Sequence, residues 1–236
     1  DLNEKHYNWP SVPAVREYRN KAKEVILNVI DEMPLTLPVT QDTPCWIIMM
    51  GIEHQRIHLE TSSVLIRQLP LDEVLSGRFG ERCPESGAAP ENEMIAVAGA
   101  KVMLGKPENH PFYGWDNEYG KYEESVEDFR ASKYLISNGE YLKFILDGGY
   151  RTPEYWTEEG WKWRHFKEAE MPLFWRKNGD DYKLRLVAEE IPTPWNWPVD
   201  VNYLEAKAFD NWKTATTGKT YRLPTEAEWF RQYQQA

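Results

Sequence analysis

The chain has 236 residues, enough for one large or two modest domains, and 41% of them are hydrophobic, with 11 Trp, 13 Tyr and 8 Phe, which favours packed cores over disorder. A formal net charge of −10 with no Lys/Arg cluster argues against nucleic acid as a partner. No apolar run approaches the ~20 residues that span a bilayer, so no membrane partner is expected, and two cysteines, Cys45 and Cys83, are too few for a disulfide framework and fit a reducing, cytoplasmic setting.

The first predicted element is a helix in "SVPAVREYRNKAKEVILNVIDEMP", opened by a serine and closed by a proline. Val15, Tyr18, Ala22, Val25, Ile26, Val29 and Met33 follow its 3–4 spacing and form one apolar stripe. A second helix is predicted from Pro44 to Leu69, capped by Thr43, with proline at its first position and Pro70 as its stop. At ~1.5 Å per residue it would be ~39 Å long. Two such helices cannot bury both stripes alone, so more helices are needed than the neighbouring sequence supplies. Residues 75–93, rich in Gly, Pro, Ser and charge, read as a linker.

After Met94 the chain changes to short strand-like pieces, "MIAVAGAKVMLG", "VEDFRASKYLI" and "YKLRLV". Helical segments interrupt them, "SNGEYLKFILDGG" and "NYLEAKAFDNWKTAT". That mix predicts an irregular α+β domain. In "RLPTEAEW", Thr225 and Glu228 have the spacing of a capping box, which opens a further helix. The aromatic run "GYRTPEYWTEEGWKWRHF" is read as core and loop packing rather than a carbohydrate or cation site, and "PFYGWDNEYG" as a structured loop that stands over an active site in one reading.

The feature that points to chemistry is in "GIEHQRIHLETSSVLIRQLP". His54 and His58 lie four apart on the second helix, so both side chains stack on one face and can offer two ring nitrogens to one ion. Met50, Gly51 and Thr61 share that face; Glu53, Arg56 and Glu60 project elsewhere, at spacings that suit surface ion pairs. A zinc-protease reading is disfavoured, because Gln55 stands where such a motif has its glutamate base. Two histidines alone do not make a working metal site, and a solvated or core-bonded pair fits the same spacing. His6, His110 and His165 have no ligand-type neighbour in sequence and read as structural.

"MGIEHQRIHLETSSVLIRQLP" and the lead-in "DLNEKHYNWPSVPAVREYR" resemble the DinB-like, iron-binding helical domain of nonheme-iron sulfoxide synthases, most of all the ovothiol-forming branch that makes 5-histidylcysteine sulfoxide. "YLISNGEYLKFILDGGY", "YWTEEGWKWR", "PVDVNYLEAKAFDNW" and "YRLPTEAEW" resemble the formylglycine-generating-enzyme/sulfatase-modifying-factor fold, a C-type-lectin-like domain. The resemblance implies an α+β multidomain chain: an incomplete DinB-like bundle at residues 1–74, a linker at 75–93, and the N-terminal part of a lectin-like domain at 94–236. It implies iron(II) held by His54 and His58 together with a third histidine from an earlier helix, and a catalytic tyrosine later in the lectin-like core. Both would lie outside these 236 residues, as would any methyltransferase domain, so this stretch by itself is expected to be inactive. The implied substrates are L-cysteine, L-histidine and O2. Three alternatives stay open: an ergothioneine-type enzyme acting on betainised histidine, a formylglycine-generating oxidase, and a non-catalytic lectin-like module.

Overall fold

A computed structural model describes residues 8–75 and 82–235. The chain groups into two compact units, residues 1–59 with 105–120, and residues 60–104 with 121–236.

The first unit is built on helices. Helix α1 spans Val12–Glu32, and Ser11 accepts a hydrogen bond from the Ala14 amide at 3.4 Å, as its sequence predicts. No residue of α1 is buried, so its apolar stripe has no cover among the described residues. The incomplete DinB-like bundle expected at residues 1–74 is not shown: the long helices described there are α1 and the one that follows it. Helix α2 spans Pro44–Arg67. Its predicted cap works differently: the Thr43 hydroxyl donates back to the Thr40 carbonyl at 2.7 Å, and it is the Thr43 carbonyl that accepts from the Trp46 amide. The helix also ends sooner than Leu69, with the amides of Gln68 and Leu69 turning back to the carbonyls of Leu65 and Ile66. Segment 105–120 completes this unit. The Val39 amide donates to the Pro111 carbonyl at 3.3 Å, and the Trp46 indole donates to the Gly114 carbonyl at 3.3 Å.

Among the described residues the second unit carries seven short strands in three antiparallel sheets. Strand β1 (Met94–Val97) pairs with β4 (Phe129–Ser132), and β2 (Ala100–Leu104) with β3 (Tyr122–Val126). The third sheet runs β5 (Trp175–Asn178), β6 (Asp181–Arg185), β7 (Glu190–Pro192). The predicted strand piece starting at Met94 thus breaks into two. Gly99 sits at the break because a Cβ there would lie 2.5 Å from the Val126 carbonyl oxygen, too close for any side chain. Helices α3 (Asn138–Leu146), α4 (Glu158–Lys167), α5 (Tyr203–Thr217) and α6 (Glu226–Gln235) complete the unit.

Burial explains which sequence signals were honoured. Tyr141 and Phe144 from α3, Tyr150, Trp156, and Ala208, Phe209 and Trp212 from α5 form the main core. The aromatic run is therefore packing, as read: the Trp156 ring is buried and its N–H donates to the Gly149 carbonyl at 2.8 Å. The capping box at Thr225 and Glu228 forms in both directions, at 2.8 and 3.2 Å, and starts α6, whose Ala227 is buried against Val102 and Val126. The Arg222 guanidinium, bonded to the same Glu228 carboxylate, holds that group down to about 2. Residues 82–93 are irregular but tied down: the Trp197 indole donates to the Glu85 carbonyl at 2.7 Å, and Asn92 bonds both ways to the Tyr134 backbone. Residues 76–81 of the predicted linker lie outside the described residues.

The end of α2 is anchored in this unit by two arginines. Arg67 donates to the Arg185 carbonyl and to Asp200, both at 2.7 Å, and lies 3.6 Å over the Phe174 ring. Arg185, 2% exposed, returns a bond to the Leu69 carbonyl at 3.1 Å. Each arginine thus binds the backbone of the other's segment.

One buried acid has a measurable signature. Asp210 Oδ2 is enclosed without a hydrogen-bond partner among the described residues. Burial pushes this carboxyl from 3.8 up to about 6, against the opposite pull of Lys213 and Lys207. Its protonated form favours the folded state, so stability should fall as pH rises from about 4 to about 6. Asp210→Asn should raise the melting temperature near pH 7 and leave it nearly unchanged near pH 4. Equal shifts at both pH values would refute this assignment.

Candidate metal centre

Helix α2 brings His54 and His58 together as their spacing requires. Their ring centroids lie 4.5 Å apart, edge to face at 78°. The two rings are therefore neighbours on one stretch of the helix, as residues four apart must be. Nothing crowds the face at Gly51, where a Cβ would meet no atom within 4 Å. Glu53 is turned to Arg56, with which it makes a 2.7 Å ion pair, as the helix geometry predicts. Glu60 is exposed, and its carbonyl takes the Ser63 hydroxyl at 2.7 Å.

Both histidines are exposed rather than enclosed in a bundle. Among the described residues, no third His, Cys, Asp or Glu joins them in a group that could hold a metal. His110 Nδ1 accepts from the Phe112 amide at 3.3 Å, and His165 stacks edge-on against Trp161 at 4.5 Å with Nδ1 2.9 Å from the Trp161 carbonyl. Those contacts fit the structural role read for both. His6 lies outside the described residues. Two imidazoles on one helix face suit a borderline divalent ion such as iron(II) and are incomplete as a resident site.

The same unit holds a structured loop, as the sequence predicts for "PFYGWDNEYG". Segment 105–120 is braced by Lys106, whose amide donates to the Glu118 carbonyl at 2.8 Å and whose ammonium donates to the Tyr113 carbonyl. Tyr113 contacts Trp46 and Trp115, with centroids 5.6 and 5.7 Å away. Its hydroxyl is buried and has no partner among the described residues. Burial raises its pKa, and the nearby carboxylates of Glu118, Glu53 and Asp116 raise it further, so the phenol keeps its proton. No motif in the sequence marks this residue; only the density of Trp and Tyr in "PFYGWDNEYG" hints at it.

A family model for the sulfatase-modifying factor enzyme 1-like domain matches residues 81–232. The chain belongs to the sulfatase-modifying factor enzyme 1-like domain family. For a member of this family, its similarity to known proteins also reaches outside that domain. It is 30% identical over 232 residues to a hercynine oxygenase of Mycolicibacterium thermoresistibile, covering 95% of this chain and 47% of that protein. It is 29% identical over 229 residues to a hercynine oxygenase of Mycolicibacterium smegmatis, covering 94% and 49%. It is 23% identical over 250 aligned residues to ergothioneine biosynthesis protein 1 of Schizosaccharomyces pombe, covering 94% of this chain and 29% of that protein. The chain spans about half the length of the two bacterial relatives. An alignment over 95% of the chain cannot fit inside residues 81–232, so it takes in helical sequence before the family domain. Among the described residues, no helix is long and apolar enough to cross a membrane.

Proposed function

We propose that the whole protein is an iron(II)- and O2-dependent sulfoxide synthase that joins the sulfur of L-cysteine to the imidazole ring of L-histidine. The observation that carries this reading is the His54–His58 pair on α2, set upstream of a sulfatase-modifying factor domain and inside a stretch similar along its length to hercynine oxygenases. A second reading, with hercynine as the imidazole acceptor, is favoured by the names of those relatives. The resemblance of the α2 segment to the ovothiol-forming branch favours L-histidine.

The chemistry balances with O2 as the sole oxidant. A thiol S–H and an imidazole C–H are broken, a C–S bond and an S=O bond form, and the second oxygen atom leaves as water. Four electrons leave the substrates and four reduce O2. His54 and His58 would hold the iron(II) as neutral donors, with a third donor required from outside the described set. Iron(II), when bound, supplies the redox chemistry with O2 that no side chain offers. His54 and His58 must shed any proton to serve, so metal loading should weaken in acid. A thiol substrate fits a reducing compartment, and we place the protein in the cytoplasm on that ground.

The test uses the full-length protein. It is incubated without oxygen with Fe(II), L-cysteine and either L-histidine or hercynine, and then exposed to O2. Oxygen uptake with a sulfoxide product carrying both substrates is expected, faster with L-histidine. A faster reaction with hercynine would select the second reading. No uptake with either, and metal at background, would leave a binding module.

A further inference from the structure

The carboxylate of Glu205, on α5, is 3% exposed. One of its oxygens accepts the Asn202 amide at 3.0 Å and serves the capping box that starts the helix. The other accepts the Tyr150 hydroxyl at 2.5 Å, the short, charge-assisted end for such bonds. Capping needs only the first of these. The Tyr141 hydroxyl lies 3.3 Å from that of Tyr150 and donates to it, because the Tyr150 proton faces Glu205. Burial keeps both phenols protonated at rest, so Tyr150 holds its proton beside a built-in acceptor.

The Tyr150 ring also begins a run of indoles that leads outward. Its centroid is 5.5 Å from that of the buried Trp156. Trp156 lies 6.2 Å from Trp163, inclined by 25°, and 6.5 Å from Trp161. Trp161 and Trp163 are half-buried, and Trp161 meets the exposed His165 ring at 4.5 Å. Electron tunnelling falls steeply with distance, so rings in contact exchange an electron far faster than separated ones. Phenylalanine would pack in these places; tyrosine and tryptophan add side chains that give up an electron readily.

We propose that Tyr150 and Glu205 form a redox-active pair that takes up an oxidising equivalent from the outer indoles. A diffusible one-electron oxidant, of the class of oxygen-derived radicals, removes an electron from Trp161 or Trp163. Tyr150 refills that vacancy through Trp156, and its phenolic proton moves to Glu205 as the electron leaves. The phenol, the carboxylate and the oxidant thus become a neutral tyrosyl radical, a carboxylic acid and an oxidant reduced by one electron. Proton transfer is what holds the radical on Tyr150, because a phenol radical that kept its proton would take an electron back from the indoles. On Tyr150 the radical is shut off from solvent, whereas on a half-buried indole it can meet O2. The proposal is separate from the sulfoxide-synthase reading and draws on neither the histidine pair nor iron.

The experiment exposes the full-length protein, without oxygen, to azide radical from pulse radiolysis, which oxidises tryptophan in preference to tyrosine. Decay of the tryptophanyl absorbance and growth of the tyrosyl absorbance are followed together, in H2O and in D2O. Wild type should show a first-order phase, independent of protein concentration and slowed in D2O because a proton moves. Tyr150→Phe, which keeps the ring, should abolish that phase. Glu205→Gln keeps an oxygen for the Tyr150 hydroxyl but cannot take its proton, and should slow the phase by roughly 100-fold or more, the scale of a positioned proton acceptor. A phase that survives Tyr150→Phe, or runs as fast in Glu205→Gln as in wild type, would overturn the pairing. So would the absence of a solvent isotope effect in wild type, a result that needs no variant to fold. None of these outcomes touches the synthase reading, which is tested with substrates and iron.

Discussion

Gly149→Ala is expected to destabilise the second unit by about 3 kcal/mol or more, near the upper end of what overpacking costs. A Cβ at this position would lie 2.2–2.5 Å from three atoms of the Phe144 ring. Phe144 cannot retreat: it is fully buried, and its ring contacts Tyr141, Tyr150, Tyr155, Phe209 and Trp212 at centroid distances of 5.2–6.4 Å. At ~2–4 °C per kcal/mol for a chain of this size, the melting temperature should drop by roughly 6–12 °C. Adding Phe144→Leu should recover part of the loss, because the smaller side chain vacates the space the new methyl needs. If Gly149→Ala melts within about 2 °C of wild type, or if the second change only adds to the damage, the close approach inferred here is wrong.

His54→Ala should remove iron from the full-length protein while leaving its helices in place. Losing a residue that merely supports a metal ligand costs roughly 10–100-fold in affinity, and loss of a ligand should cost at least that. Alanine favours helix more than histidine does, so the far-ultraviolet circular dichroism of α2 should persist. Metal content by mass spectrometry and helix content together separate the two roles. Iron at wild-type level would return His54 and His58 to the solvated pair that their exposure equally permits. His58→Ala should repeat the result.

The signals that were legible in sequence were those set by local chemistry. Ser11 opens α1, Thr225 and Glu228 open α6, and the strand-like piece that starts at Met94 forms strands β1 and β2. The four-residue spacing placed His54 and His58 on one face because a helix allows nothing else. The rest depends partly on competition between local partners and partly on packing. Thr43 was read as a side-chain cap, yet its hydroxyl takes the nearby Thr40 carbonyl instead. Helix α4 and strands β3, β5 and β7 gave no clear periodic signal, since they lie in small sheets and aromatic layers where burial does not follow one face. Tyr113 stood inside a segment readable only as a loop, and its isolation as an unpaired donor is a property of three-dimensional packing. The third metal donor was not legible, and none is supplied among the described residues.

Segment 105–120 lies between β2 and β3 along the chain, yet it groups with α1 and the first part of α2. The helical unit is therefore assembled from two stretches separated by 45 intervening residues, 60–104, all of which belong to the other unit. Contacts such as Trp46 to Gly114 span 68 residues and close only after β2 has been synthesised. Cleavage within residues 75–93 would not release two self-sufficient pieces, because each fragment would carry part of the helical unit. Exchange of this helical unit between homologues would have to move both stretches together.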